Sequence, residues 1–170
     1  MLERPKGERR YVAEYLAQYY PDGGWVTNVP LGEVPEEIKA QYGQQRGAAL
    51  FHPSRPRVDA ILSTPELYIL IEAKVREPKM AIGDLLLYRS LAEKTEDLPL
   101  YDGQPIGMRL VVPWALEWVK TAAAAHGMQL VIYYPKWIEE YVRQRQHYFS
   151  AEYREAREEK QRLRKAFGLE

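Results

Sequence analysis

Apolar positions repeat at two different periods along this chain. From Glu8 to Tyr20, the residues Tyr11, Val12, Tyr15, Leu16 and Tyr19 recur at three- and four-residue spacing, which predicts a helix ended by Pro21-Asp22-Gly23-Gly24. Trp25 to Leu31 alternates instead, with Trp25, Thr27, Val29 and Leu31 on one face, and predicts a strand. Gly32 to Pro56 is a long connection in which Pro35-Glu36-Glu37 opens a short helix that Gly43 closes. Arg57 to Leu62 and Leu67 to Val75 are strand-like, and the turn-prone Ser63-Thr64-Pro65-Glu66 between them makes a hairpin. Ala81 to Glu93 keeps helical spacing through Ile82, Leu85 and Leu86, with Arg89 interrupting the stripe. Met108 to Val112 predicts a short buried strand, Ala115 to His126 an alanine-rich helix closed by Gly127, and Met128 to Tyr133 a last strand. Lys136 to Phe167 predicts one long helix, or two in series.

Helices interleaved with strands place the chain in the α/β class. The expected architecture is a central mixed β-sheet flanked by helices. An α-β-β-β-α-β core is followed by an additional α-β and a long C-terminal helical arm. The expected organisation is one domain over 1–135 and a helical extension over 136–170. In the arm, Val142, Phe149, Ala156 and Leu163 recur every seven residues, but Arg145, Glu152 and Glu159 occupy the second seam position. That pattern favours packing back onto the domain, with a homodimer or a larger protein partner behind it.

Composition narrows the chemistry. The chain has 170 residues and no cysteine, which removes disulfide scaffolds, thiolate zinc sites and thiol nucleophiles. Lysine plus arginine equals aspartate plus glutamate at 24 each, so nucleic acid must be met by a local patch and not by an overall field. Met1 to Lys6 lacks the apolar region of a signal peptide, and no apolar run reaches membrane-span length. The expectation is a cytoplasmic protein without membrane association. The three histidines are scattered, which leaves no basis for a histidine-zinc cluster or a serine–histidine triad, and Gly23-Gly24 lacks the lysine of a phosphate-binding loop.

The informative stretch is Arg57-Val58-Asp59-Ala60-Ile61-Leu62, the turn, then Tyr68-Ile69-Leu70-Ile71-Glu72-Ala73-Lys74-Val75. In the second strand Ile69, Ile71, Ala73 and Val75 face one way, while Tyr68, Leu70, Glu72 and Lys74 face the other. A two-residue Thr64-Pro65 turn, or a four-residue Ser63 to Glu66 loop, puts Asp59 opposite Leu70 and diagonal to Glu72 on the same face. Diagonal neighbours lie roughly 7–8 Å apart at the backbone, and two carboxylates leaning inward can share one ion at about 2.0–2.1 Å, the magnesium distance. An odd loop would send Asp59 to the other face. The apolar pattern favours the even one. The main-chain carbonyl of Ala73 is a further candidate ligand, and Lys74 a candidate to hold an attacking water or stabilise charge on a phosphate. Glu-x-Lys alone is usually a solvated pair. Three such groups beside a clean apolar face point instead to phosphodiester hydrolysis.

These residues resemble the PD-(D/E)XK nuclease superfamily, the restriction-endonuclease-like fold. Asp59, Glu72-Ala73-Lys74 after a short hairpin, then a helix and a strand, match its motif over the stretch from about Glu8 to Val112; Pro56 stands three residues before Asp59. The resemblance implies that Asp59 and Glu72 bind a divalent metal, magnesium with manganese able to substitute, and that Lys74 is the catalytic lysine. Glu8-Arg9-Arg10-Tyr11-Val12 is similar to the first helix of archaeal Holliday-junction resolvases, which implies Glu8 as a third metal ligand, with Glu14 as its competitor. Gly83-Asp84-Leu85-Leu86-Leu87-Tyr88 is similar to a Gly-Gln-x-x-x-Tyr helix of one branch, with Asp84 where that branch has glutamine.

Between Ile38 and Val58 there is no acidic residue, whereas Lys39, Arg46, His52, Arg55 and Arg57 are present, and Lys74, Arg76 and Lys79 follow. Arg46, Arg55, Arg57 and Arg76 are therefore the candidate nucleic-acid contacts, since neutralising phosphates needs such a patch. Gly43 to Gly47 is expected to be a loop reaching the groove. The reading is a metal-dependent nuclease acting on DNA. The alternative is a nuclease-like fold used for nucleic-acid binding or assembly without cleavage.

Overall fold

The computed structural model describes residues 6–147 and the helical positions 155, 157–159 and 161–163. Its five strands, β1 (Trp25–Pro30), β2 (Arg57–Ser63), β3 (Tyr68–Ala73), β4 (Ile106–Val112) and β5 (Met128–Ile132), form one sheet in chain order. β1, β2 and β3 pair antiparallel, and β4 and β5 are added parallel to β3. The sheet is therefore mixed and flanked by helices, the α/β architecture that the periodicities predict.

The helices among the described residues of this unit are α1 (Lys6–Tyr19), α2 (Glu36–Tyr42), α3 (Gln44–Phe51), α4 (Pro78–Ala92) and α5 (Glu117–Ala125). Successive residues of β4 show which face each one covers. Arg109 reaches Tyr15 of α1, while Leu110 joins Ala81, Ile82, Leu85, Tyr88 and Ala92 of α4 and Val119 and Ala123 of α5 in one core cluster. Adjacent strand residues point to opposite faces, so α1 covers one side of the sheet and α4 and α5 the other. With both faces covered, every residue of β3 is buried. Each fully buried leucine or isoleucine there contributes about 1.5–3 kcal/mol. Glu72 sits in the same strand, and its burial needs a separate cause.

The connection between β1 and β2 holds more structure than its sequence pattern predicts. Gly43 ends α2 at φ 78°, its N–H donating to the Lys39 carbonyl, and α3 starts at the next residue. Gly47, expected in an open loop, is buried within α3. A Cβ at that position would lie 3.1 Å from the Ile38 carbonyl oxygen. Glycine is what lets α3 approach α2 so closely.

Internal contacts divide the chain after Tyr133, into Met1–Tyr133 and Tyr134–Glu170. In the second unit α6 spans Lys136–His147. Of the expected helix to Phe167, residues 148–154, 156, 160 and 164–167 lie outside the described residues, and with them Phe149 and Ala156 of the seven-residue repeat. Among the described residues no helix is long and apolar enough to cross a membrane.

Candidate active site

The site is built by the β2–β3 hairpin. Thr64 and Leu67 close it: the Thr64 N–H donates to the Leu67 carbonyl at 2.9 Å, and the Leu67 N–H donates to Thr64 Oγ1 at 3.0 Å. The ladder runs from Ser63↔Tyr68 to Ala60↔Ile71. This corrects the expected register by two residues: Asp59 comes opposite Glu72, not Leu70. Pro65 is the physical reason. Its fixed φ suits the second position of a turn and not the third, so the turn centres on Pro65-Glu66 and not on Thr64-Pro65. A shift of two keeps every side chain on its face, so Asp59 and Glu72 still meet.

Beyond Ala60↔Ile71 the two carboxylates take over the main-chain donors. The Ala73 N–H donates to Asp59 Oδ2 at 3.0 Å, and the Asp59 N–H donates to Glu72 Oε2 at 3.4 Å. Each acid thus engages the opposite strand. Val58 and Ile61 belong to the same core cluster, although strict alternation would send them to opposite faces. Regular pleating stops at Asp59. Its neighbour across the strand pair, Asn28, has φ 59°, and Thr27↔Ala60 and Val29↔Val58 flank the pair.

Glu72 is fully buried and Asp59 is 7% exposed. A carboxylate so placed costs several kcal/mol unless a partner compensates. The Lys74 Nζ lies 2.8 Å from Glu72 Oε1. Burial of the Lys74 ammonium pulls its pKa down, but the attraction of Glu72, with that of Asp59 and Glu8, outweighs burial and holds it above the ordinary lysine value. Lys74 is therefore a stable cation at neutral pH. Glu8, in the first turn of α1, is half-buried and acts electrostatically on Lys74. Glu14 is engaged elsewhere, accepting from Arg10 at 2.7 Å.

Asp59 opens onto a cleft of about 260 Å³, lined also by Arg9, Val12 and Ala13 of α1 and by Thr27 and Asn28 of β1. As a cation site, the carboxylates supply the hard oxygen donors that magnesium takes, and magnesium is often held by one or two carboxylates plus water and substrate oxygens. The donor set fits that mode. A cage made by protein alone is not formed: no group of three or more histidine, aspartate or glutamate side chains is gathered for a metal among the described residues.

The basic residues do not form the single patch that their clustering in sequence implies. Arg46 is exposed on α3 and Arg76 is exposed just after β3. Arg57 is half-buried, donating to the Asn28 carbonyl at 2.7 Å and lying against the His52 ring. Arg55 corrects the sequence reading. It is 4% exposed and its guanidinium is held in a fork by Asp97 at 2.7 and 2.9 Å. That fork makes it an internal ion pair, not a rim residue. Lys39 is likewise paired, with Glu36 and Glu96. The acids missing from the stretch between Ile38 and Val58 are supplied from upstream of it and from the connection after α4.

Sequence reasoning passed over two features. Asn28 lines the cleft, and its signal was only that it is the chain's one asparagine. Arg109, 6% exposed, is held by the hydroxyls of Tyr15 and Tyr20 and by Gln129; an arginine in an apolar strand was the visible sign. Tyr88 belongs to the core.

No protein-family model matches the chain, and no curated protein matches it. Among solved structures it is similar to a crystal structure of a repair endonuclease from Pyrococcus abyssi, at 16% identity and a TM-score of 0.45, covering 79% of this chain and 49% of that one. This chain thus spans about half the length of that chain.

Proposed function

We propose that this protein is a metal-dependent nuclease that hydrolyses phosphodiester bonds, with DNA as substrate. One observation carries the reading: Asp59 and Glu72, from adjacent strands, are locked together because Glu72 accepts the Asp59 N–H and Asp59 accepts the Ala73 N–H, with Lys74 Nζ 2.8 Å from the buried Glu72. Asp59 and Glu72 would hold magnesium, with the Ala73 carbonyl as a further ligand, manganese as a substitute, and Glu8 adding negative charge nearby. When bound, the ion lowers the pKa of a coordinated water and polarises the phosphate. Lys74 keeps its proton at neutral pH. It therefore acts as a hydrogen-bond donor, orienting the attacking water or countering charge that develops on the phosphate. Asp59, open to the cleft, faces the phosphate, and Arg46, Arg57 and Arg76 stand as contacts to the flanking backbone.

The second reading is a binding or assembly module without cleavage, which the closed Glu72–Lys74 ion pair favours, because a neutralised carboxylate has less need of an ion. Incubation with plasmid, branched and single-stranded DNA separates the two. Cleavage that requires magnesium or manganese and disappears in Lys74→Ala supports the nuclease. DNA binding without cleavage in either metal supports the module. Magnesium should also raise the melting temperature of the wild type and not that of Asp59→Asn, because a ligand of the native state alone stabilises it by mass action.

A further inference from the structure

Asn28 has three properties that call for one explanation. It sits in the left-handed region at φ 59° in the middle of β1. Such a conformation in a non-glycine residue is uncommon, is least unfavourable for asparagine, and clusters at binding and catalytic sites. It stands directly across from Asp59 where regular pairing is interrupted, and it lines the cleft onto which Asp59 opens. Arg57 holds its main chain by donating to the Asn28 carbonyl at 2.7 Å, so the distortion is fixed from outside the cleft.

A phosphodiester brought against Asp59 meets a negative carboxylate and needs a donor for its non-bridging oxygens. A lysine or arginine at position 28 would pair with Asp59 and compete with a cation there. A carboxamide gives two N–H donors without a charge. We propose that Asn28 is a substrate-binding residue whose side-chain amide donates to a non-bridging oxygen of the phosphodiester held against Asp59. This assignment rests on the nuclease reading.

Asn28→Gly tests it, because glycine accepts φ 59° freely and removes only the amide. The melting temperature of this variant should stay at the wild-type value. Its affinity for labelled DNA, measured by fluorescence anisotropy in calcium, and its kcat/KM for cleavage in magnesium should fall on the order of tenfold to a hundredfold, the loss of one hydrogen bond to a charged oxygen. Asn28→Asp also tolerates the conformation but places a negative charge beside Asp59, and should bind more weakly than the glycine variant. If Asn28→Gly binds and cuts like the wild type, asparagine is present only because it tolerates the backbone, and the assignment fails while the nuclease reading stands. Should the wild type neither bind nor cut any DNA in magnesium or manganese, the nuclease reading fails and this assignment with it. If the wild type binds without cutting, the anisotropy comparison alone decides.

Discussion

The carboxylates of the β2–β3 hairpin and the cations of residues 39–57 are two charged regions that look equally suggestive in sequence and turn out differently in space. The carboxylates converge because their placement is governed by alternation and register, which are local. Register brings Asp59 level with Glu72, and where regular pleating stops each carboxylate accepts an N–H of the opposite strand. The cations disperse because a side chain of that length takes whatever partner the fold delivers. Arg55 finds Asp97, and Lys39 finds Glu36 and Glu96. A charge cluster in sequence predicts a charge cluster in space only where the backbone dictates direction.

The largest expected effect is on the carboxylates. Asp59→Asn and Glu72→Gln should each lower cleavage about 10²- to 10⁴-fold, the scale of losing a metal's contribution to charge stabilisation, as measured by single-turnover kinetics at saturating metal. Retained cleavage in both would break the comparison at its stronger side.

Next in size is an asymmetry within the ion pair. Glu72 is wholly buried, whereas the Lys74 side chain is 15% exposed. In a chelator, Lys74→Met strands a buried carboxylate and should cost about 3–5 kcal/mol, while Glu72→Gln leaves a cation that reaches water and should cost clearly less. Denaturant unfolding gives both values; equal losses would mean that the two groups are equally solvated.

Arg55 sharpens the other side. Arg55→Met should cost about 2 kcal/mol of stability through the lost internal pair and leave the salt dependence of DNA binding unchanged. Arg46→Ala or Arg76→Ala should leave stability alone and reduce the salt slope by about one. The reverse pattern would return Arg55 to the surface role.

The pH dependence of stability is a smaller effect. The Arg55 hydrogen bonds hold the Asp97 carboxyl below its ordinary value of 3.8. A carboxylate depressed in the folded state stabilises above the unfolded value and loses that contribution as pH falls through the folded one. The stability gap between wild type and Asp97→Asn should thus be constant above about pH 5 and close in stronger acid. Because Asp97 is half-exposed, solvent screening keeps the gap to about 1 kcal/mol. Gly47→Ala is of similar size, because crowding against Ile38 costs about 1–3 kcal/mol and better helix propensity returns about 1.

What was legible in the sequence follows the same division. The order of strands and helices, and the meeting of Asp59, Glu72 and Lys74 at one strand end, follow from periods of two and 3.6 and from the hairpin between Arg57 and Val75. The register was displaced by two because a Pro65-Glu66 turn satisfies the apolar pattern as well as the expected Thr64-Pro65 turn does, and only the position of Pro65 within the turn distinguishes them. α3 was hidden because Gly43 and Gly47 bracket Gln44-Gln45-Arg46 and no apolar stripe marks it; Gly47 packs closely on Ile38 of α2. The partner of Arg55 lies 42 residues further along the chain, beyond the reach of any local pattern. Asn28 was unreadable, since a left-handed residue in a strand appears only when the backbone is known.

The sheet order carries a consequence for biogenesis. Every strand after β1 pairs with the one immediately before it, so each of these has a partner already made when it leaves the ribosome. Of these ladders β2–β3 closes the shortest loop, and local pairing of that kind forms early. The β2–β3 hairpin can zip while β4 is still unsynthesised, and each later strand adds to an edge that is already present.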